Sequence, residues 1–402
     1  MTDLLKTSVV LILIVVLLRR KVSMAAVMPI GALVLAIIYL TPPRDFLQAA
    51  VMAVFAPKSL EMTMTLMLTM VMENILRTTG MLTRMVSSLS EALSDRRLVM
   101  AAMPAMIGML PSPGGAIFSA PMVNEAAGDA VVAPEQKALI NYWYRHIWEY
   151  VSPLYPGIIL VAGITGLSTQ TLFLANLPFA LSVVGWGALF CFRGIGRQHV
   201  RPSPSGRKRE FLTFLAMISP IMLAMLLVVI FRARATLALG GAVIALYAVH
   251  RYSPAMIFRN LRESVSGKAL FLVIGIMIFQ EVLSVTSALK GISSFFTASH
   301  MPVYLLLFLI PFIAGVMTGL TIGYVGITFP LLLPLMGDPT PSPALVALSF
   351  GSGFAGVMLS PVHLCYVLTC EYFHADIARV YHRLFLPSAC VLAAVLIPFY
   401  VW

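Results

Sequence analysis

Charged residues are scarce in this chain. Asp, Glu, Lys and Arg make up 11% of the 402 residues, whereas a soluble globular domain carries about 25%. Hydrophobic residues make up 60%, and the mean hydropathy is +0.94. The apolar residues form long continuous runs of helical length, not the ~10-residue alternating segments of a transmembrane barrel. The sequence therefore excludes a water-soluble globule and predicts an all-α polytopic membrane protein.

Cysteine is also scarce, and the four cysteines (Cys191, Cys365, Cys370 and Cys390) all lie in apolar segments. They offer no disulfide framework. A metal site built from the stripe of His363, Cys370 and His374 would extend over ~16 Å of helix, which is too long for one ion. We therefore expect no metal site and no cofactor.

Motifs for catalysis or ATP binding are missing from the sequence. It contains no G-x-x-x-x-G-K-[ST] loop and no evident pair of nucleophile and base. We therefore expect neither enzymatic activity nor direct ATP drive. The net charge of +11 comes from basic residues in short loops between apolar segments, which retention on the cytoplasmic side explains. The expected partner is the lipid bilayer, and no nucleic acid is expected.

What the sequence does contain is a helix-breaking run, Met109-Leu110-Pro111-Ser112-Pro113-Gly114-Gly115-Ala116, inside the apolar segment Val99 to Val123. Proline removes a backbone donor and glycine loosens a helix, so backbone groups here lose their intrahelical partners at membrane depth. Such backbone is tolerated only where it contacts protein or lines a cavity. The run therefore predicts the tip of a re-entrant hairpin.

The second half of the chain repeats the first with a nearly constant offset. Pro104 and Gly108 match Pro311 and Gly315 at +207, and Ser152-Pro153 matches Ser360-Pro361 at +208. The sequence thus predicts an internal duplication. Each repeat should contain about five transmembrane spans, an interfacial amphipathic helix, a re-entrant hairpin and a broken helix. The amphipathic stretches are 81–95 and 289–299, the hairpins 98–127 and 301–336, and the broken helices 135–167 and 341–372, with a cytoplasmic linker at 194–209.

Charge placement predicts the orientation of the chain in the membrane. An odd number of crossings per repeat makes the second repeat inverted relative to the first. With the Arg19-Arg20-Lys21 loop in the cytoplasm, only six of the 27 Lys and Arg residues fall outside: Lys6, Arg44, Lys58, Arg232, Arg234 and Lys290. This satisfies the positive-inside bias. We therefore expect a multi-pass protein of the inner (plasma) membrane with both termini extracytoplasmic.

Four broken elements should then converge near the membrane midplane: the tips 111–115 and 318–324, and the breaks 152–157 and 359–363. Broken helices expose N-termini that can hold anions and C-termini that can hold cations. The predicted substrate-binding residues are Ser112, Pro113, Gly114, Gly115, Ser152, Thr318, Thr321, Ser360 and His363. The predicted site for Na⁺ or H⁺ comprises Ser112, Gly114, Ser152, Gly319, Thr321, Gly323 and Ser360. The alternative is a set of ordinary proline kinks satisfied by neighbouring helices.

Several ionisable residues lie within the apolar segments and are further candidates. Glu73 and Glu281, near the ends of the third spans, are interpreted as interfacial or pairing groups. The aromatic cluster 142–149, which contains Arg145, His146 and Glu149, is interpreted as an interfacial anchor, with anion contact as the alternative. His363 is left as either a titratable site residue or a satisfied core histidine.

On these residues the sequence resembles the ion-transporter superfamily of elevator-type carriers, which includes divalent-anion/sodium symporters, citrate carriers and arsenite permeases. The Pro-Ser-Pro-Gly-Gly-Ala run (111–116) and the Leu-Ser-Pro-Val-His-Leu-Cys run (359–365) are most similar to a membrane family known only as a domain of unknown function. The Ser-Asn-Thr tips of the dicarboxylate symporters are absent. The resemblance implies a homodimer with scaffold parts at 1–97 and 210–300 and transport parts at 98–193 and 301–402.

The sequence thus predicts a secondary active transporter for a small anionic solute, with a carboxylate favoured, coupled to Na⁺ or H⁺ and working by an elevator-like movement. The scarcity of acidic groups near the breaks favours an anion held by helix ends over a bare cation. One alternative is a Na⁺/H⁺ antiporter that uses Glu73 or Glu281. Another is a non-transporting membrane module that needs a partner.

Overall fold

The computed structural model describes residues 2–20, 22–110, 115–128, 132–196, 206–286, 288, 301–337 and 339–394. Within these ranges the chain forms nineteen α-helices and no β-strand, which confirms the all-helical class. Ser112, Pro113 and Gly114 of the first predicted tip lie outside the described residues, as does the amphipathic stretch 289–299.

The first half contains ten α-helices. They are α1 (Thr2–Arg19), α2 (Met24–Ile38), α3 (Pro43–Phe55), α4 (Pro57–Thr78), α5 (Met81–Ala92), α6 (Arg96–Gly108), α7 (Gly115–Ala127), α8 (Pro134–Arg145), α9 (Pro156–Thr165) and α10 (Thr169–Phe190), with a 3₁₀ helix at Trp148–Tyr150.

The second half contributes nine α-helices within its described residues. They are α11 (Arg207–Val229), α12 (Ala235–Val249), α13 (Pro254–Ser264), α14 (Gly267–Val285), α15 (Val303–Thr318), α16 (Thr321–Leu332), α17 (Pro343–Met358), α18 (Leu364–Tyr372) and α19 (Ile377–Ala393), with a 3₁₀ helix at Leu333–Leu335.

Only some helices are long enough to cross a membrane alone. In the described part of the chain, α10 and α11 have the length and composition to do so, and α3 with α4 would make a third span bent by 47°. Seven further apolar helical segments have only 10–17 residues, whereas a straight span needs about 20. The chain is therefore a helical membrane protein in which short and broken helices dominate. The number of about five spans per repeat stays a prediction.

Proline and capping side chains explain where several helices begin. Proline starts α8, α9 and α17 in the first helical turn, where its missing N–H costs no hydrogen bond. The Asp95 carboxylate accepts from the Arg97 N–H at the start of α6, at 2.9 Å, and the Asp376 carboxylate accepts from the Arg379 N–H at the start of α19, at 2.9 Å. These caps satisfy amide groups that a helix start leaves unpaired.

Several helix contacts occur twice, once between two helices and once between the corresponding helices of the other half. Helix α2 packs on α14 as α12 packs on α4, and α7 packs on α18 as α16 packs on α9. The crossing of α6 with α8 likewise has a counterpart in α15 with α17. These pairs are the contacts a duplicated chain would make. The inverted orientation of the second repeat stays a prediction.

Helix α5 coincides with the first predicted amphipathic stretch. It packs on α11, with Met85 and Leu89 buried. Next to Met85, Arg84 forms an ion pair with Glu210 of the same helix α11, at 3.4 Å. The helix thus joins the start of the second half to the first.

Candidate functional site

Two helix interruptions face each other in the core of the protein. Helix α8 ends at Arg145 and α9 begins at Pro156, while α17 ends at Met358 and α18 begins at Leu364. The tip between α15 and α16 reaches both interruptions. A Cβ on Gly157 would overlap the Thr321 methyl group, and a Cβ on Gly319 would lie 3.0 Å from the Ser360 hydroxyl. The tip therefore contacts both interruptions directly, with a glycine on one side of each contact.

Several of the predicted site residues hold backbone groups at these interruptions. The Ser360 hydroxyl donates to the Val316 carbonyl at 2.7 Å, and the Ser152 hydroxyl accepts from the Leu154 N–H at 3.3 Å. Thr318 is half-buried, and its hydroxyl lies 3.3 Å from the Leu320 carbonyl.

The remaining predicted site residues differ in their surroundings. Gly115 and Gly323 are buried in the first turns of α7 and α16. Thr321, at the first position of α16, donates its hydroxyl hydrogen bond to a side chain, the Glu149 carboxylate. Ligand binding by the predicted residues stays a prediction.

Tyrosine hydroxyls fill much of the hydrogen-bonding capacity that the broken helices leave open. Tyr142 donates to the Met358 carbonyl at 2.9 Å, and Tyr155 donates to the Gly108 carbonyl. The interruptions are therefore partly satisfied from neighbouring helices, as the alternative of ordinary kinks requires. The free backbone groups at the interruptions are therefore too few to form a binding site without side chains.

The first interruption instead brings charged side chains into the core. Arg145 is 3% exposed and His146 is fully buried, and the Glu149 side chain is 15% exposed. The interpretation of this segment as an interfacial anchor is therefore wrong, because an anchor would face the lipid head groups. Residues 138–145 of α8 are all buried, so this end of the helix lies in the protein interior.

A chain of polar contacts joins the two interruptions and the second tip. The Nε2 atoms of His146 and His363 lie 3.1 Å apart. His146 Nε2 is also 3.8 Å from a Glu149 carboxylate oxygen, whose partner oxygen accepts a hydrogen bond from the Thr321 hydroxyl at 3.0 Å. One connected group therefore links α8, α16 and the start of α18.

Arg145 is the permanent positive charge of this group. Its guanidinium is in hydrogen-bond contact with Cys365 and within electrostatic reach of Glu149 and Glu73. Because Arg is always protonated in proteins and buried charge in a membrane is costly, such a residue is a functional candidate by default.

The ligand atoms of His146, His363 and Cys365 lie within 4.8 Å of one another. This spacing suits a soft metal ion and differs from the set His363, Cys365, Cys370 and His374 that the sequence offers, because it contains His146. The neighbouring Arg145 argues against a bound metal cation, because it would place two positive charges together in the buried core. We assign no metal to this cluster.

The structure also contains a cavity of about 770 Å³ beside the C-terminal end of α9. Its charged lining residues are Lys58, Glu61, Arg232 and Arg234, which makes three basic groups against one acidic group. A cavity with this balance concentrates anions near its mouth.

The comparison of the two halves of the sequence carries a signal for the titratable residues of this group. At the +208 offset, His146 corresponds to Phe354, Glu149 to Val357 and His363 to Tyr155. Titratable groups thus occupy one copy where the other copy has apolar or aromatic residues. Positions at which the two halves carry residues of different chemical type are therefore candidates for binding or proton-carrying roles.

The broken helices with buried charge and the predominance of apolar helices define a helical membrane protein with a transporter-like fold. The chain is similar in structure to the YdaH transporter of Alcanivorax borkumensis, with a TM-score of 0.58 and 14% identity over 89% of this chain and 88% of that one. Residues 3–402 match the family described as "Protein of unknown function (DUF401)", and the chain belongs to that family. No curated protein matches it by sequence.

Proposed function

We propose that the protein is a secondary active transporter of a small anionic solute, with a carboxylate favoured, coupled to Na⁺ or H⁺. The observation that carries this proposal is the burial of Arg145 at the first interruption, where the second tip also arrives. A guanidinium binds carboxylates through paired hydrogen bonds. Helix N-termini at the same depth, those of α9 and α16, add favourable dipoles.

The transport part in this proposal comprises the hairpins and broken helices of 98–193 and 301–402. It would move in an elevator-like manner past a scaffold of 1–97 and 210–300 in a homodimer of the inner membrane, with both termini extracytoplasmic. The cavity lined by Lys58, Arg232 and Arg234 supports an anionic solute because its lining is basic. Its position between helices of the transport part and the scaffold suits a path for that solute. The fold shared with a transporter supports transport.

The test is counterflow exchange in proteoliposomes preloaded with unlabelled solute, using ¹⁴C-labelled acetate, lactate, succinate and citrate as probes. We expect exchange of at least one probe, reduced at least tenfold in Arg145→Gln. The matched control is Arg259→Gln, since Arg259 is exposed and pairs with Glu263 at 2.8 Å within its own helix. Absence of exchange for all four probes, or an Arg145→Gln variant as active as the control, contradicts the proposal.

A Na⁺/H⁺ antiporter is the second candidate, favoured by Glu73, which lies within electrostatic reach of Arg145. Under this alternative, Glu73→Gln abolishes Na⁺-driven pH changes in vesicles that contain no organic anion. Under the preferred function these vesicles show no Na⁺/H⁺ exchange. A non-transporting module would show neither activity and would co-purify with a stoichiometric partner.

A further inference from the structure

The two buried histidines, His146 and His363, form a pair across the two helix interruptions. Their Nε2 atoms are 3.1 Å apart, which is hydrogen-bonding distance. One of these nitrogens must therefore donate and the other accept. The neighbouring atoms decide which does which.

The backbone determines the tautomer of His146. Its Nδ1 lies 2.6 Å from the Tyr142 carbonyl oxygen, and a carbonyl can only accept a hydrogen bond, so Nδ1 carries the hydrogen. In a neutral imidazole the other nitrogen then has none. His146 Nε2 is thus the acceptor of the pair, and His363 Nε2–H is the donor.

This assignment leaves His363 Nδ1 with a free lone pair. The atom is buried and has no partner with good hydrogen-bond geometry among the described residues. The nearest backbone group that can accept a proton from this ring belongs to Gly319, and a Cβ on Gly319 would lie 3.1 Å from His363 Cα. An added proton on Nδ1 therefore turns an unsatisfied acceptor into a donor directed at the tip of the second hairpin.

The charges around the pair constrain what can bind with that proton. The group contains one fixed positive charge, Arg145, and one acidic side chain, Glu149, which offsets that charge when it is ionised. The other titratable groups that face it, from α4, α8, the first interruption, α16 and α18, are Glu73, Tyr142, Tyr150, Tyr155, Tyr324 and Cys365. A proton adds one positive charge, and a bound monoanion cancels it.

We propose that the coupling ion is a proton held by the His146–His363 pair, and that one proton enters with each monoanion of solute. This inference rests on the proposed function and narrows its choice between Na⁺ and H⁺. Joint loading leaves the net charge of the moving part the same in its empty and its loaded form. This is favoured because carrying an additional net charge through the membrane interior is expensive.

The donor atoms at the pair favour a proton over Na⁺. Hard cations bind through several oxygen ligands, whereas the atoms that converge at the pair are two imidazole nitrogens and a thiol. The nearest side-chain oxygens, those of Glu149 and Thr321, are hydrogen-bonded to each other. The nearby Ser360 hydroxyl hydrogen is already given to the Val316 carbonyl. The predicted cation-site residues therefore act, in this proposal, as the structural surroundings of a proton site and not as ligands of a metal ion.

The first test needs no knowledge of the solute. The full-length protein, labelled with ¹⁵N-histidine and placed in nanodiscs, is followed by NMR from pH 9 to pH 5. We expect one set of ring signals that disappears in His146→Gln and another that disappears in His363→Gln. At high pH the His146 set should show the Nδ1–H tautomer and the His363 set the Nε2–H tautomer. On acidification the His363 ring should become an imidazolium. The control His382→Gln, in α19, removes neither.

Three results would overturn this assignment. The first is that both histidines share one tautomer. The second is that neither takes up a proton over this range. The third is that equimolar Zn²⁺ shifts both signals and that these shifts vanish in Cys365→Ser, because that outcome makes the cluster a metal site.

The second test uses the labelled probe that shows counterflow, in Na⁺-free proteoliposomes. Acidifying the outside by one pH unit should drive about tenfold accumulation of a monoanion, because one coupled proton transfers a tenfold gradient. Accumulation should be lost in His146→Gln and His363→Gln, checked for monodispersity, and retained in His382→Gln. Accumulation that follows a Na⁺ gradient and ignores pH, or that survives in both histidine variants, refutes proton coupling. Lack of counterflow in the wild type refutes the transport function instead, and the NMR result still decides the tautomers.

Discussion

Replacing Gly315 with alanine should separate two helices of the core. Gly315 lies where α15 crosses α17, and a Cβ built on it would overlap the Gly353 carbonyl oxygen and lie 2.9 Å from the Val357 backbone nitrogen. Both obstacles are backbone atoms, so no side chain can rotate away. Because favourable contacts between heavy atoms lie at about 3.5–4.0 Å, the helices must move apart by about 1 Å.

The expected cost follows from two opposing terms. Overpacking a closely packed interior costs about 1–3 kcal/mol, and a rigid backbone obstacle places this site high in that range. Alanine in place of glycine within a helix returns about 0.5–1 kcal/mol. We therefore expect Gly315→Ala to lower the free energy of unfolding by about 1–2 kcal/mol.

The measurement is an equilibrium SDS titration in mixed micelles, followed by circular dichroism. Gly185→Ala is the matched control because Gly185 lies within α10 and a Cβ there meets nothing within 4 Å. The control should unfold at the same or a higher SDS fraction than the wild type. If Gly315→Ala is as stable as Gly185→Ala, the close crossing of α15 and α17 does not exist in solution and the reasoning fails.

Three further predictions concern the core and the site. Trp143→Phe should lower the free energy of unfolding by about 1–3 kcal/mol in the same titration, since the indole N–H donates to the buried Val183 carbonyl at 2.9 Å; an unchanged midpoint would contradict this. Ser360→Ala should cost about 1 kcal/mol, because the Val316 carbonyl loses its 2.7 Å hydrogen bond, and equal stability would mean that water replaces the hydroxyl. Arg145→Lys should lose at least tenfold in counterflow, measured with the same labelled probe, because a lysine cannot reproduce paired hydrogen bonds; full activity would show that only the charge matters.

Local sequence rules predicted the broad class of the fold. Long apolar runs indicated helices in a membrane, and the Ser-Pro pairs at 152–153 and 360–361 now lie within helix interruptions. Such signals need no long-range information, since proline removes a donor wherever it stands. The number of spans was harder to judge because many of the helices are too short to show a full crossing.

The chemistry of the site depended on contacts that local rules do not contain. The contact between His146 and His363 joins residues that are 217 positions apart. In the sequence, His146 stands among aromatic residues typical of a membrane interface, whereas in the structure residues 138–146 are all buried by other parts of the chain. Hydroxyl groups next to proline and glycine mark helix ends in a sequence, whereas a single arginine carries no sign that it is buried.

The reciprocal packing of α7 on α18 and of α16 on α9 has a consequence for biogenesis. The second arm of each hairpin is covered by a helix that the other half supplies. During synthesis, α7 and α9 are made long before the helices of the second half that cover them. Their packing surfaces therefore stay uncovered until α16 and α18 have been synthesised. We expect residues 1–196 expressed alone to be degraded, and co-expression with 206–402 to rescue them. Assembly of the core would then be a late event, completed only after the last helices have left the ribosome.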